Sequence, residues 1–460
     1  MIVSFSVSNF RSFSSEQTLS LVASNRIAGD HDAHLIPIPD SSEHLLPTAV
    51  LYGANGAGKS NLFNALKYLQ SVALEPRPKN SGTGRVAFRL GVPENDSSTF
   101  DLQFVANSKL YRFGVKVDDQ RITEEWLVRI SGNRETVLYE RTTDMDGNVA
   151  IEPEGLNGAG PKLQALAMVG GPQNQSFLAT IDATLETQDL GEDVADVLNW
   201  LHNSLILIGP DTSLQAPGHL LGGDPGLRKF VGEFLRSSST GVEGLDVLKE
   251  RVSEEDLRSL MPAAEWAQLL EGVRKNGTAT GVLAYGTEIF AEQEGDRIQF
   301  YRVAVQAAHT HQSGHSVAVE LDDESDGTRR LLHLIPALYL SPGISTVYFI
   351  DEIDRSLHPM LVKAFVASFL KSCSGGQRQI IVSTHESNLL DQELLRRDEI
   401  WFAEKDQSSA TRLYSLMDFE IRKHDIRKHY LEGRFGAVPF FGDLNALPLA
   451  PVNLDEPRQS

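Results

Sequence analysis

The chain has 460 residues, a formal net charge of −20 and 41% hydrophobic residues, which is the composition of a globular protein with room for two or three domains. The acidic balance argues against a surface that binds nucleic acid throughout, although it is compatible with a local basic groove. The single cysteine, Cys373, excludes an intrachain disulfide, and no stretch reaches the ~18 continuous apolar residues of a membrane span. Because residues 1–5 also lack the features of a secretory signal, we expect a cytoplasmic protein that does not contact a membrane.

The first 50 residues predict two strands followed by a loop. Apolar residues alternate over 2–7 and again over 19–21, with a turn-like segment at 9–13 between them. Residues 24–47 are polar and contain three prolines, which favours a loop.

Residues 52–61 read Tyr-Gly-Ala-Asn-Gly-Ala-Gly-Lys-Ser-Asn and contain the phosphate-loop pattern G-x-x-x-x-G-K-[ST]. An apolar run precedes the pattern and a helical pattern follows it, which makes a chance glycine-rich turn the weaker alternative. Lys59 is placed to neutralise the β- and γ-phosphates, and the Ser60 hydroxyl to ligate Mg²⁺. The pattern therefore predicts a nucleoside triphosphate site. Its predicted members are Gly53, Ala54, Asn55, Gly56, Ala57, Gly58, Lys59, Ser60 and Asn61.

The patterning of the remaining chain indicates one nucleotide-binding domain with an interruption. Alternating apolar residues over 100–130 predict antiparallel strands beside the phosphate loop. Helical patterns then follow a glycine- and proline-rich stretch, and one predicted face consists of Val194, Val197, Leu198, Leu201 and Leu205. We expect a domain formed by residues 1–150 and 287–440, a helical insertion at 151–286 and a loose tail at 441–460.

An apolar strand at 347–352 ends in two acids, Asp351 and Glu352. A continuous apolar run is typical of a strand buried in a parallel sheet, whose carboxyl end is where such sheets place ligands. Asp351 would hold Mg²⁺ directly or through water, and Glu352 would polarise the attacking water as general base. The alternative is a pair of acids that cap a strand at the surface.

A second apolar strand, 380–385, delivers His385 at its end. We expect this histidine to reach the γ-phosphate or the hydrolytic water, and a histidine that caps the following helix is the alternative. Upstream, Ser325 and Gly327 open an apolar helix, which is another N-terminus suited to an anion.

The order of these motifs resembles the ABC-type ATPases, the superfamily of SMC, RecF and OLD proteins. Within that resemblance Ser325 and Gly327 match the signature motif, although Asp326 stands where the family has a glycine. Asp354 lies in a segment similar to the D-loop, and Arg11 in one similar to the N-terminal turn whose arginine lies near the nucleotide. The resemblance implies an α/β fold: an ABC-type P-loop NTPase head with an antiparallel β subdomain and a helical insertion.

Within the superfamily, the segments 351–359, 398–405 and 430–439 are most similar to bacterial anti-phage ATPases of the RloA and AbiLii type and to the AriA subunit of PARIS. This implies a head-to-tail homodimer or higher homo-oligomer that binds ATP and Mg²⁺, with Lys59, Glu352 and His385 as catalytic residues. It also implies a sensor or scaffold that controls a separately encoded effector, a Toprim-type nuclease, with a phage protein as trigger and nucleic acid as a further ligand.

Two other functions fit parts of the pattern. A RecF-like DNA-repair ATPase would bind duplex DNA, for which the basic segment 421–434 is a candidate contact, but the acidic balance argues against it. A transporter's nucleotide-binding subunit would need a membrane partner, and the long insertion disfavours it.

Overall fold

The structure, a computed structural model, describes most of the chain. The described residues are 1–27, 29, 31, 35–79, 81–91, 96–156, 160–212, 217–283, 287–311, 313–339, 345–373, 378–419 and 426–436. The expected tail at 441–460 lies outside them, as does part of the basic segment 421–434.

The described chain is a mixture of strands and helices, which we number in chain order. The strands are β1 (Ile2–Ser8), β2 (Gln17–Ser20), β3 (Ile36–Pro37), β4 (His44–Leu45), β5 (Thr48–Tyr52), β6 (Ser98–Ala106), β7 (Lys109–Val117), β8 (Ile122–Ser131), β9 (Arg134–Thr143), β10 (Val149–Glu152), β11 (Leu205–Ile208), β12 (Val242–Val252), β13 (Thr278–Val282), β14 (Glu288–Glu294), β15 (Arg297–Thr310), β16 (Ser316–Glu320), β17 (Thr346–Ile350), β18 (Arg378–Ser383), β19 (Ile400–Lys405) and β20 (Thr411–Ser415). The α-helices are α1 (Lys59–Leu74), α2 (Pro161–Val169), α3 (Phe177–Thr184), α4 (Glu192–Asn199), α5 (Pro217–Gly223), α6 (Pro225–Ser237), α7 (Glu254–Leu260), α8 (Ala263–Asn276), α9 (Asp326–Leu334), α10 (Pro359–Ser372) and α11 (Ile426–Leu431).

A six-stranded sheet forms the centre, in the order β11-β17-β18-β5-β19-β20. Its neighbouring strands are parallel except for β19 and β20. Every residue of β5 and β18 is buried, as expected for parallel strands covered on both faces. Because β18 lies between β5 and β17, the phosphate loop, the two acids and the predicted histidine come from adjacent strand ends.

The second sheet has seven strands in the order β10-β9-β8-β7-β6-β1-β2, all antiparallel. Helix α1 lies between this sheet and the central one, since Leu62 and Leu66 belong to one core with Phe100 of β6 and Phe349 of β17. Helix α10 covers the opposite face of the central sheet. The predicted α/β P-loop NTPase fold with an antiparallel β subdomain is confirmed.

The segment 151–286 is not helical throughout, and here the sequence prediction was wrong in detail. It contains α2 to α8, but Leu205, which we placed on a helix face, begins β11 at the edge of the central sheet. The apolar run that starts there was indistinguishable by periodicity from the end of a buried helix, which is the usual ambiguity of short apolar runs. The pairing partner, β17, is about 140 residues away in sequence, as the register of Leu205 with Val347 shows.

The same segment also contributes to a third sheet, in the order β12-β15-β14-β13, with β16 paired to β15. Strands β12 and β13 pair with β15 and β14, so this sheet continues past residue 286. Helix α7 packs on it through Leu257, and α8 packs on it through Trp266 and Leu269. Among the described residues, no helix combines the length and apolar character needed to cross a membrane.

Candidate nucleotide-binding site

The carboxyl ends of four parallel strands meet at one edge of the central sheet. Strand β5 leads to Gly53, β11 to Gly209, β17 to Asp351 and β18 to His385. Open α/β sheets place ligands at this edge because the loops that follow the strands form a crevice there. The fold therefore brings the phosphate loop together with two motifs that lie about 300 residues further along the chain.

The three glycines of the phosphate loop are needed for different reasons. Gly56 has φ +79° and an added Cβ would meet open space, so only its backbone conformation requires glycine. Gly58 has φ +112°, and a Cβ there would also overlap the Thr411 hydroxyl. A Cβ on Gly53 would lie 2.5 Å from the Ala403 carbonyl oxygen. Gly53 and Gly58 thus allow the loop to pack on β19 and β20, a role that the sequence pattern did not predict.

The turn at 9–13 lies against the phosphate loop, but the residue that makes the contact is Ser12. Its Oγ accepts a hydrogen bond of 2.7 Å from Asn61 Nδ2 and lies 2.8 Å from Thr411 Oγ1. Arg11, the predicted nucleotide neighbour, has φ +50° and is exposed, and its guanidinium lies 5.7 Å from the centroid of the Phe10 ring. The described contacts thus bring the turn to the loop through Ser12, and the role of Arg11 stays a prediction.

Lys59 is buried at the start of α1, with 5% of its surface exposed. Its Nζ donates hydrogen bonds to the Gly53 carbonyl at 2.7 Å and to the Ala54 carbonyl at 3.4 Å, and it lies 3.1 Å from His385 Nε2. Since an ammonium can only donate, Nε2 is the acceptor and the ring carries its proton on Nδ1. The structure therefore places the predicted lysine and histidine in direct contact.

Burial, together with neighbouring charges, shifts the pKa values of Lys59 and His385. Desolvation lowers the pKa of Lys59 to about 8, against the opposing pull of Asp351, Asp354 and Glu352. Desolvation and then the Lys59 charge lower the pKa of His385. His385 is consequently neutral near pH 7, as an acceptor from Lys59 must be.

The two acids at the end of β17 are held by a serine from the neighbouring strand. Asp351 is 2% exposed, and Ser383 Oγ donates a hydrogen bond to its Oδ1. The same Oγ accepts the backbone N–H of Glu352 at 2.9 Å. Glu352 has φ +49°, a left-handed conformation that is uncommon outside glycine. The acids are thus fixed by a specific interaction, which disfavours the alternative of two acids capping a surface strand.

Asp354 lies three residues further on and also contacts the histidine segment. Its Oδ2 accepts the backbone N–H of His385 at 3.2 Å. Its Oδ1 is buried and has no hydrogen-bond partner among the described residues. Because buried carboxylate oxygens normally have a partner, this atom is free to accept a hydrogen bond from a ligand or water at the site.

Ser325 caps the N-terminus of α9, where its Oγ accepts the Thr328 N–H at 3.2 Å. Ser325 is exposed, and a Cβ on Gly327 would lie 2.9 Å from the Ser356 carbonyl oxygen. Within one chain Gly327 therefore lies against the loop after the acids, at Ser356. The predicted contact of Ser325 and Gly327 with a nucleotide stays a prediction.

Sequence reasoning missed four residues that the structure places at the site: Ser12, Thr411, Ser383 and Arg330. Two of them carried a signal. Ser383 ends its strand directly after the apolar run 380–382, and Arg330 lies on the buried side of α9, four residues before Leu334. Ser12 and Thr411 had none, because their contact joins segments 399 residues apart.

The residues present fit a nucleoside triphosphate and Mg²⁺. The contacts of the Lys59 ammonium are to uncharged carbonyl and imidazole groups, so its charge is available to phosphate. The backbone N–H groups of the left-handed loop and of the start of α1 favour an anion in the same place. Ser60 and Asp351 offer the oxygen ligands that Mg²⁺ prefers.

Comparison with protein families identifies the kind of domain. The sequence model of the family described as "AAA domain, putative AbiEii toxin, Type IV TA system" matches residues 49–391. The chain belongs to this family. The match begins in β5 and includes the phosphate loop, α9, the two acids and His385, so the site lies within the matched part of the AAA domain.

Solved structures that resemble this AAA domain include heads of SMC proteins. The SMC head domain of Thermotoga maritima is 14% identical, with a TM-score of 0.36 over 91% of this chain and 99% of that one. An Smc head bound to the C-terminal winged-helix domain of ScpA is 12% identical, with a TM-score of 0.38 over 90% of this chain and 97% of that one. An Smc head from Pyrococcus furiosus with an extended coiled coil is 12% identical, with a TM-score of 0.35 over 94% and 99%. No curated protein matches the sequence.

Alanine substitutions at two glycines of the AAA domain separate packing from backbone strain. Gly56→Ala is expected to cost about 1 kcal/mol of stability, from the left-handed backbone alone. Gly58→Ala adds an overlap with Thr411, so we expect a larger loss of stability, about 2–3 kcal/mol, together with loss of ATP binding. Thermal unfolding and fluorescent-nucleotide titration of both variants provide the measurement. Equal losses in the two variants would contradict this account of the loop.

The lowered pKa of Lys59 predicts how ATP binding depends on pH. Below about pH 8 the lysine is charged in the free protein, and affinity should be constant. Above about pH 8 the lysine of the free protein loses its proton, whereas a bound phosphate keeps the lysine protonated. Affinity should therefore fall by up to about tenfold per pH unit, and binding should take up a proton. Calorimetry in two buffers of different ionisation enthalpy measures this uptake. We expect nearly one proton at pH 9 and almost none at pH 7, and equal values at both would show that Lys59 does not contact the nucleotide.

Proposed function

We propose that this protein is a Mg²⁺-dependent ATPase that acts as a switch in an anti-phage defence system. The observation that supports hydrolysis is the meeting of Lys59, His385 and the Asp351–Glu352 pair at one edge of one sheet. A phosphate loop alone would support binding. An acid held in a left-handed conformation beside it also supplies a base for the attacking water.

The residues of one chain divide the work of hydrolysis. Lys59 exchanges its bonds to the loop carbonyls for bonds to the β- and γ-phosphates. Ser60 and Asp351 would hold Mg²⁺, which would neutralise charge on the phosphates. Glu352 removes a proton from the attacking water, and neutral His385 orients the γ-phosphate or that water. Ser383 keeps the two acids in register throughout.

A second copy of the chain would complete the site. Ser325 is exposed at the N-terminus of α9, where backbone N–H groups favour an anion. In a head-to-tail dimer, Ser325 and Gly327 of one subunit would cover the γ-phosphate bound by the other. A ligand that touches both subunits stabilises the closed pair, and its hydrolysis removes that stabilisation. The cycle is therefore suited to changing an assembly rather than to metabolic turnover.

The defence role rests on sequence similarity. The description of the family refers to AbiEii, a toxin and a type IV toxin–antitoxin system, and the motifs are similar to those of anti-phage ATPases. We propose that the ATPase holds a separately encoded effector, a Toprim-type nuclease, until a phage component is detected. The net charge of −20 disfavours duplex DNA as the main ligand.

The switch predicts that a slow-hydrolysis variant accumulates the closed dimer. Glu352→Gln should bind ATP but lose about 100-fold or more in turnover, since it lacks the general base, and should form a dimer that depends on ATP and Mg²⁺. Light scattering after gel filtration measures the dimer. The matched controls are Lys59→Ala, which should bind no ATP, and Ser325→Arg, which should bind ATP without dimerising. Wild-type turnover by Glu352→Gln would remove Glu352 from the role of base, and an unaffected dimer of Ser325→Arg would remove α9 from the interface.

The defence role is tested separately in cells. Bacteria that express the chain with its genomic neighbour are expected to resist phage, and Lys59→Ala should abolish the resistance because no switch remains. Plating efficiency measures the protection. Protection that survives Lys59→Ala would contradict an ATP-driven sensor. Salt-dependent binding of duplex DNA by the purified ATPase alone would instead support the RecF-like function.

A further inference from the structure

One buried arginine links α9 to the catalytic acids. Arg330 is 5% exposed and lies in the second turn of α9. Its Nη2 donates to the carbonyl oxygens of Asp351 at 3.0 Å and Glu352 at 3.2 Å, and its Nη1 donates to the Gly209 carbonyl at 2.9 Å. A single guanidinium thus joins the helix to the backbone that follows two strands of the central sheet.

These contacts are unusual for a buried charge. Among the described residues, Arg330 forms no ion pair, and its Nε has no hydrogen-bond partner. Desolvation and then the nearby charge of Arg355 lower its pKa. A buried charge is normally paired, because desolvation is costly. A role beyond packing therefore depends on which carbonyls the guanidinium joins, and those of Arg330 include the carbonyls of both acids.

The role that the geometry offers is to fix the conformation of Glu352. This residue has φ +49°, and both of its backbone polar groups are held from outside. Its N–H donates to Ser383 Oγ at 2.9 Å, and its carbonyl accepts from Arg330 Nη2 at 3.2 Å and from the Arg355 N–H at 3.1 Å. Because both sides of the residue are fixed, the direction of its Cα–Cβ bond is fixed as well. Removal of the arginine contact would leave this carbonyl with only the bond from the Arg355 N–H of the same loop, and would weaken the restraint that holds the uncommon backbone conformation.

Helix α9 touches the same loop at a second point. A Cβ on Gly327 would lie 2.9 Å from the Ser356 carbonyl oxygen, which means that the helix N-terminus packs directly on the chain four residues after Glu352. Gly327 and Arg330 are one turn apart on a continuous helix, so they move together. A displacement of the helix N-terminus would therefore also move the Arg330 guanidinium relative to the Glu352 carbonyl.

We propose that Arg330 is a positioning residue that sets the Glu352 carboxylate according to the position of α9. This inference rests on the proposed function, in which Ser325 at the start of α9 contacts the nucleotide of the partner subunit. Closure of the pair would then position the base in the chain that contributes the helix. Each chain would hydrolyse its own ATP efficiently only while it also covers the ATP of its partner.

The test compares two buried arginines that bond to backbone carbonyls. Arg330→Met and Arg330→Lys are matched with Arg378→Met. Arg378 is 7% exposed and donates to the Ala337 carbonyl, but it begins β18, roughly 16 Å along the strand from Ser383. ATP affinity, kcat and melting temperature are measured for each variant, together with the double variant Arg330→Met/Glu352→Gln.

We expect Arg330→Met to keep ATP affinity and to lose about 100-fold in kcat, the usual effect of a misplaced catalytic group. Arg330→Lys should be intermediate, because an ammonium keeps the charge without the fork that bonds two carbonyls. Arg378→Met should lower the melting temperature without changing kcat. The double variant should be no slower than Glu352→Gln, since Arg330 acts through that residue.

The outcomes that overturn the inference differ from those that overturn the function. If the kcat of Arg330→Met is within about threefold of the wild-type value, Arg330 does not have this role. The same follows if the loss of kcat in the double variant equals the product of the two single losses. If Arg330→Met does not fold, the same judgement rests on Arg330→Lys, whose wild-type kcat would refute the proposal. Absence of ATP hydrolysis by the wild-type protein overturns the proposed function, and the role of Arg330 with it.

Discussion

The structure is organised around one buried positive charge. The Lys59 ammonium lies where the phosphate loop meets the end of β18, and its hydrogen bonds go to uncharged groups. Water is largely excluded from it, while three carboxylates nearby oppose the loss of its proton. A charge in this setting gains more from a phosphate than an exposed lysine would, because the desolvation has already occurred during folding. The unfavourable free energy of burying the ammonium is offset by the apolar packing of α1 between two sheets.

The position of this charge depends on contacts between distant parts of the chain. The turn at 9–13 and the start of β20 hold the outer side of the phosphate loop through Ser12 and Thr411. Ser383 holds the two acids on the inner side. The phosphate loop and the acids are therefore held by segments from both ends of the chain, which explains why both halves of the chain are needed for one site.

The third sheet is continuous with the helix that we expect to face a partner. Strand β16 ends at Glu320, one helical turn follows, and Ser325 caps α9. Glu324, just before the cap, lies 2.5 Å from His309 Nε2 of β15. Two connections, one covalent and one through side chains, thus join the start of α9 to this sheet. Since α9 contacts the loop after Glu352 as well, it is the shared element of the third sheet and the edge of the central sheet where the candidate site lies.

The type of fold and a candidate phosphate site could be predicted from the sequence alone. The phosphate loop demands residue types that can be recognised locally, and the acids and the histidine each follow an apolar run that is typical of a buried strand. Tertiary structure decided what no local pattern encodes: that Leu205 begins a strand rather than ending a helix, and that Ser383, Thr411 and Arg330 belong to the site. The physical reason is that the backbone conformation of a glycine and the apolar pattern of a buried strand depend on residues close together in sequence, so they can be recognised locally. The role of a serine or a buried arginine at the site, in contrast, depends on which carbonyl or carboxylate the fold brings within about 3 Å of the side chain.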